Sequence, residues 1–520
     1  MTIILSMNHL PRRLRWINQC TAVLHKGILV NRNTLIAAFG RFCAATCAFM
    51  MFSGLSAAAP VPLPDPGIKG YKFPEDKDTL MHWVNADKAA QIHLHGWGIW
   101  TSLTAPSGQA EFGMPNVPVY LTWLSPSEIA DLPQTAAGPA AVTTTDALAS
   151  KRIFKLEVPR QFSHGGRKPV VLSAEALAAR ASLGGVPPDT NILVTMGYSP
   201  TAQAWAQQNN LFSMKALQAF YNAGTGDVRA IPTFPIDSVA IKPTYKLITK
   251  ANLIDGHLYK MPAWPGTPTK ITPAISKNGY PETSWPGCVY VDVNNSGKSS
   301  AGNIDPNCKS GPKPGNTYGL GDFVNYPVTA ANVASFESLF GSPPVVGDVV
   351  LLMAMHVTSR EIDEWTWQTF FWTPNPTAPP LPSSGAIARA RPPQLKGAAA
   401  HYAMSIGYQM VAPNQPITGG HSVGMPVTAY NPYLESGFGT DVFGTPPVNP
   451  GIQPKGKKAF MATVGVQSNC MTCHGNATVS PTNSQDALPY LTNFYVSRDD
   501  PAFKGFLQVD FLWSIQGTAK

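Results

Sequence analysis

An α+β fold is predicted, with a helical N-terminal part, a β-rich central body and a short C-terminal segment of different character. Three observations carry it. Apolar residues recur at helical spacing between positions 78 and 103, they alternate or run unbroken between about 231 and 410, and a compact Cys/His cluster stands at 470–474. The boundaries that follow are 1–58 for an export signal, 59–230 for the mainly helical part, 231–460 for the β-rich body and 461–520 for the C-terminal segment.

Residues 1–58 contain six basic residues (Arg12, Arg13, Arg15, Lys26, Arg32, Arg41) and no acidic one. An apolar run at 42–55 leads to Ser56-Ala57-Ala58, small residues of the kind a signal peptidase reads, with cleavage expected before Ala59. Arg41 leaves too few uninterrupted apolar residues for a membrane anchor. The expectation is therefore a periplasmic or secreted protein with no membrane span once the signal is removed. Charge supports a limited set of partners. Of 38 basic and 30 acidic residues in the chain, removal of six basic ones leaves 32 against 30, a net of +2. Neither nucleic acid nor an anionic membrane surface is favoured by that balance. Charged residues make up 13% of the chain, and its 50 prolines imply long ordered loops.

In chain order, helices are expected at 78–84 and 87–103, the second bearing His93, His95, Trp97 and Trp100. Gly96 and Gly98 weaken it unless something packs close to its backbone. Ser125-Pro126-Ser127-Glu128 is a capping box with proline at the first helical position. Residues 131–145, rich in Ala, Thr and Pro, read as a surface connection. A strand follows at 153–158 and an alanine-rich helix at 173–181. Two more helices start at Ser199-Pro200 and Ser213, the latter ending at Gly224. The first long strand spans 238–249, with Pro243 marking an edge or a bulge. Residues 266–328 read as a loop insertion rich in Gly, Pro, Asn and Ser, and 330–340 as a short helix. Strands at 349–357 and 362–372 carry apolar bulk on both faces, which implies a central position covered on both sides. Another strand spans 402–410, after a proline-rich connection at 374–393.

The chemistry concentrates in Cys470-Met471-Thr472-Cys473-His474. Two cysteines separated by two residues and followed at once by histidine form the attachment pattern of c-type haem. On one helical turn both thiols can reach the two vinyl groups of a porphyrin, while the next residue offers an imidazole to the iron. Asn469 or Ser468 is placed to cap that turn. A thioredoxin-like dithiol would need a preceding strand in a βαβ setting, and a zinc site would need a second ligand pair; the neighbouring sequence has neither. Three of the seven cysteines (Cys20, Cys43, Cys47) fall in the signal, so Cys288 and Cys308 remain as a plausible disulfide across a short loop.

These five residues resemble the attachment motif of c-type cytochromes, and the whole chain is similar to large exported bacterial single-haem proteins of the cytochrome c family. The resemblance implies one covalent haem c on Cys470 and Cys473 with His474 as proximal ligand, and a redox partner protein. An ordinary small cytochrome has its motif near the start and its second ligand downstream; here the 46 residues after His474 contain neither His nor Met. A distal ligand must then come from upstream. His356, on an apolar strand, is the first candidate; His93, His95, Met404 and Met410 are others, and an open position is a further possibility. Electron transfer is the favoured function. The alternative is a haem-dependent oxygenase or peroxidase with an open iron in the large body.

Overall fold

Eleven consecutive buried residues, Val349–Ser359, form the strand on which the β-rich body is built. A computed structural model of the chain describes residues 59–132, 152–157, 159, 192–299, 302–338, 343–414, 424–439, 469–483 and 495–520. The expected signal at 1–58, most of the connection at 131–145 and the helix at 173–181 lie outside these residues. The fold is α+β.

The central sheet has seven strands: β1 (Ile192–Val194), β2 (Gly197–Tyr198), β3 (Val239–Ile248), β4 (Asn325–Pro327), β5 (Val349–Ser359), β6 (Thr366–Trp372) and β7 (Tyr402–Gly407). Its order is β7-β6-β5-β3-β1, with β2 also on β3 and β4 also on β5. Across β5 and β6 the antiparallel register sets Ala354 against Phe371, His356 against Thr369 and Thr358 against Trp367. Those residues share one face. Thr366, Gln368, Phe370 and Trp372 point to the other.

A long helix, preceded by a shorter one, covers that other face. α1 (Lys77–Asn85) is capped by the Asp76 side chain, and α2 (Ala89–Thr104) lies behind β6 and β7. Trp100 stacks on Phe370 with ring centroids 4.4 Å apart, and the indole N–H groups of Trp97 and Trp100 donate to the carbonyls of Ile387 and Ala399. Close packing explains the glycines of α2. A Cβ on Gly98 would lie 2.1 Å from the Tyr71 ring, and one on Gly96 would lie 2.7 Å from Met404 Sδ. Neighbouring side chains therefore occupy both sites. α3 (Pro200–Gln208) and α4 (Met214–Ala223) begin after Ser199 and Ser213 as expected, and the 125–128 capping box forms.

Two expectations are corrected and a third is narrowed. Residues 266–328 are not a plain loop: Cys288–Asp292 pairs with Leu258–Pro262 and Thr317–Gly319 in a three-stranded sheet, and β4 joins the central one. Val289, Tyr290 and Val291 are all buried, so a short apolar run was enough to form a strand among turn residues. The helix expected at 330–340 is a single 3-10 turn, Val333–Ser335, followed by the strand Phe336–Ser338, which pairs in parallel with Phe154–Leu156. Pro243 lies in an interior strand, beside the bulge that shifts the pairing of β3 with β5 between Leu352 and Ala354, so of the two readings the edge fails and the bulge is found. It is accommodated where β1 and β2 are interrupted, and its carbonyl accepts the Thr195 N–H at 3.1 Å. Cys288 and Cys308 form a disulfide. Among the described residues no helix is long and apolar enough to cross a membrane.

Gly98→Ala should destabilise the protein by about 1–3 kcal/mol, the usual range for overpacking, and Tyr71→Ala should relieve much of that loss. Urea unfolding of the two single variants and the double variant measures the coupling; simple additivity would contradict the packing account.

Candidate haem-attachment site

A helix of one and a half turns has too few internal hydrogen bonds to persist alone, so the site depends on what holds Cys470–Gly475 in place. Asn469 is fully buried at its N-cap. Its side-chain oxygen accepts the N–H groups of Met471 (2.8 Å) and Thr472 (3.3 Å), and its amide nitrogen donates to the carbonyls of Gln409 (3.1 Å) and Val427 (2.7 Å). One side chain thus caps the helix and ties it to the segments after β7. At the other end the Asn476 amide donates to the Thr472 carbonyl.

Cys470 is buried and Cys473 partly covered. The Cys470 thiol donates to the Ala429 carbonyl at 3.2 Å. Burial, reinforced by the Glu435 carboxylate, pushes the Cys470 thiol well up and that of Cys473 to about 12. Both are therefore neutral thiols. A redox dithiol works through a thiolate with a lowered pKa, the opposite of this environment.

His474 follows on the same turn. Its Nδ1–H donates to the Phe511 carbonyl at 2.7 Å, which places the ring lone pair on Nε2. The Trp367 indole lies against the imidazole with ring centroids 4.1 Å apart, and the Trp513 N–H donates to the Cys473 carbonyl. Two thiols and an imidazole of fixed tautomer on one turn are the donor set that a covalent haem requires. Among the described residues, no three His, Cys, Asp or Glu side chains gather as a bare-ion site would require.

The upstream candidates separate by face. His356 Nδ1 lies 4.0 Å from Cys470 Sγ, so β5 does bring it to the site. Its two ring nitrogens are already paired, Nδ1 with the Thr369 hydroxyl (2.7 Å) and Nε2 with Glu435 Oε1 (3.1 Å). Service as an iron ligand would break one of those bonds. Met410 packs beside Gly475, and its sulfur accepts the Val496 N–H. Met404 is elsewhere, beneath α2 on the opposite face of the sheet. His93 on α2 is partly buried, and desolvation lowers its pKa.

His95 belongs to a closed ring of buried hydrogen bonds. Gln368 donates through one amide nitrogen to the Tyr408 hydroxyl (2.7 Å) and to Thr366 Oγ1 (3.0 Å). From Tyr408 the path continues to His95 Nδ1 (2.6 Å) and from His95 Nε2 to Glu361 Oε1 (3.0 Å). From Thr366 it passes through Ser359 to Glu361 Oε2. Both arms run from donor to acceptor and end on the same carboxylate, which also accepts the Glu75 N–H. That arrangement satisfies both oxygens of a fully buried acid. Both ring nitrogens of His95 are thus engaged within this ring.

Asp510 and Phe511, whose backbone aims the carbonyl at His474, carried no signal in the sequence, because a main-chain acceptor is independent of residue type. Glu435 and Thr369 were equally silent. Ser468, the other expected cap, lies outside the described residues.

Asn469→Ala should lower stability by about 1–2 kcal/mol through loss of the cap and speed amide exchange across 470–475 more than elsewhere. Uniform exchange rates would contradict its role. A second expectation concerns pH. In any chain that lacks haem, folding holds the Cys473 thiol protonated, with its pKa raised from about 8.5 when unfolded to about 12. That contribution is complete below about pH 8.5 and is lost as pH rises toward 12. Urea midpoints between pH 7 and 10 should therefore fall more for haem-free chain than for its Cys473→Ala variant.

Comparison with known proteins gives no relative: no protein-family profile, curated protein or solved structure matches the chain.

Proposed function

We propose that this chain is an exported mono-haem c-type cytochrome that exchanges electrons with a partner protein. Cys470 and Cys473 would hold the haem through thioethers and His474 would bind the iron. The observation that carries the reading is the His474 Nδ1–H bond to the Phe511 carbonyl, on the same turn as the Cys470 and Cys473 thiols. A bound haem supplies a one-electron ferric/ferrous couple.

The chain's own residues do the rest. Phe511 orients the imidazole and raises its donor strength, which favours the ferric state and lowers the potential. Trp367 covers the imidazole and limits water around it. Asn469 holds both cysteines on a turn anchored to the body. His356, fixed by Thr369 and Glu435, forms the wall beside Cys470 and does not bind the iron. The basic, acid-free residues 1–58 support export, and the Cys288–Cys308 disulfide accords with an oxidising compartment.

Protein purified from an exporting host should keep its haem through acid-acetone extraction and show a haem-stained band on a denaturing gel, and Cys473→Ala should abolish most of that band. Complete extraction of haem from the wild type would refute the proposal. His356→Ala should leave the ferric spin state unchanged. Conversion from low to high spin would instead assign the sixth position to His356.

A further inference from the structure

The carbonyl that meets His474 belongs to a turn that residues bearing a Cβ seldom adopt. Asp510 (φ 46°) and Phe511 (φ 69°) are consecutive, non-glycine and left-handed. Such a conformation persists only where the surroundings enforce it, and here the enforcement comes from the Asp510 side chain. That carboxylate is buried. Its Oδ2 accepts the Phe234 N–H at 3.1 Å and pairs with Arg360 Nε at 3.4 Å, while Oδ1 takes Arg498 Nη1 at 3.2 Å. Arg498 also donates through Nε to Gln508 (3.0 Å), and its guanidinium lies over the Phe511 ring, 5.4 Å from the centroid. Arg360 comes directly after β5 and is braced by the Ile362 carbonyl at 2.7 Å. The turn is therefore bolted to the end of the central strand on one side and to its own segment on the other.

We infer that Asp510 is a positioning residue for His474: clamped by Arg360 and Arg498, it holds the Phe511 carbonyl on the imidazole Nδ1–H and thereby sets the orientation and donor strength of the iron ligand. The inference rests on the haem reading. It predicts that loosening the clamp weakens the Nδ1–H bond, so the imidazole becomes a poorer donor, the ferric state loses stabilisation and the midpoint potential rises.

Loss of a negative charge near an iron raises the potential by itself, so the test needs a control of equal charge. Asp363 pairs with the same Arg360, at 3.5 Å, without being part of the turn. Midpoint potentials would be measured for Asp510→Asn, Arg498→Lys and Asp363→Asn, and the His474 ring nitrogens followed by nitrogen-15 NMR in the diamagnetic ferrous protein. Asp510→Asn should lower the ferric-to-ferrous ratio at fixed potential about tenfold, equivalent to about 59 mV for a one-electron couple. Arg498→Lys keeps the charge and should move in the same direction by a smaller step, whereas Asp363→Asn should change the ratio less than about twofold. The His474 Nδ1–H signal should shift in the first two variants only. An Asp510→Asn effect no larger than that of Asp363→Asn, with the wild-type Nδ1–H signal, would overturn the inference. If Asp510→Asn fails to fold, Arg498→Lys decides on the same two readouts. If the wild-type chain carries no haem, the haem reading fails, and the NMR comparison on that chain still decides whether Asp510 fixes the imidazole.

Discussion

A strand buried along its whole length must have both of its faces covered, and β5 imposes that condition on everything around it. On one face α2 supplies Trp97 and Trp100, which lie against Phe370 and spend their N–H groups on loop carbonyls. On the other, the cysteine-bearing helix closes over His356, Thr369 and Trp367. The site is therefore part of how the sheet is sealed. A slip of one residue in β6 would turn Thr369 and Trp367 toward α2 and carry Gln368 and Thr366 away from the hydrogen-bonded ring. Packing of the core and geometry of the site are set by the same register.

The two polar systems of the sheet reinforce that register from opposite sides. The ring that ends on Glu361 closes only if Thr366, Gln368 and Tyr408 share the face toward His95 on α2, and the His356–Glu435–Thr369 group only if His356 and Thr369 share the other. Buried polar groups left without partners cost more than apolar ones. A shifted sheet would leave members of both groups unpaired. Lys246 and Glu282 add a third such constraint, a buried ion pair with nitrogen–oxygen distances of 2.6 and 2.7 Å that ties β3 to the segment before Cys288.

What the sequence made legible was local. The capping box at Ser125, the helix starts at Ser199 and Ser213, and the doubly apolar strands around 349–372 each rest on neighbours in the chain, and each forms. The placement of Asn469 as a cap was readable for the same reason. What stayed hidden depended on distant partners. Val289–Val291 became a strand because Leu258–Pro262 and Thr317–Gly319 lie on either side, although Gly, Pro, Asn and Ser dominate the stretch. Pro243 signals an edge or a bulge, and which of the two holds depends on β5, whose pairing shifts between Leu352 and Ala354 beside it, and on the break between β1 and β2. His356 was singled out for its cost in an apolar strand, and the partners that satisfy it, Thr369 and Glu435, come from different segments.

The chemical state of one turn of helix decides the function, and peptide-mapping mass spectrometry of the protein from an exporting host reads that state directly. The peptide that contains Cys470, Cys473 and His474 should carry the added mass of one haem, with neither cysteine open to alkylation after denaturation. A peptide of unmodified mass that takes up two alkyl groups, or a disulfide between the two cysteines, would contradict it.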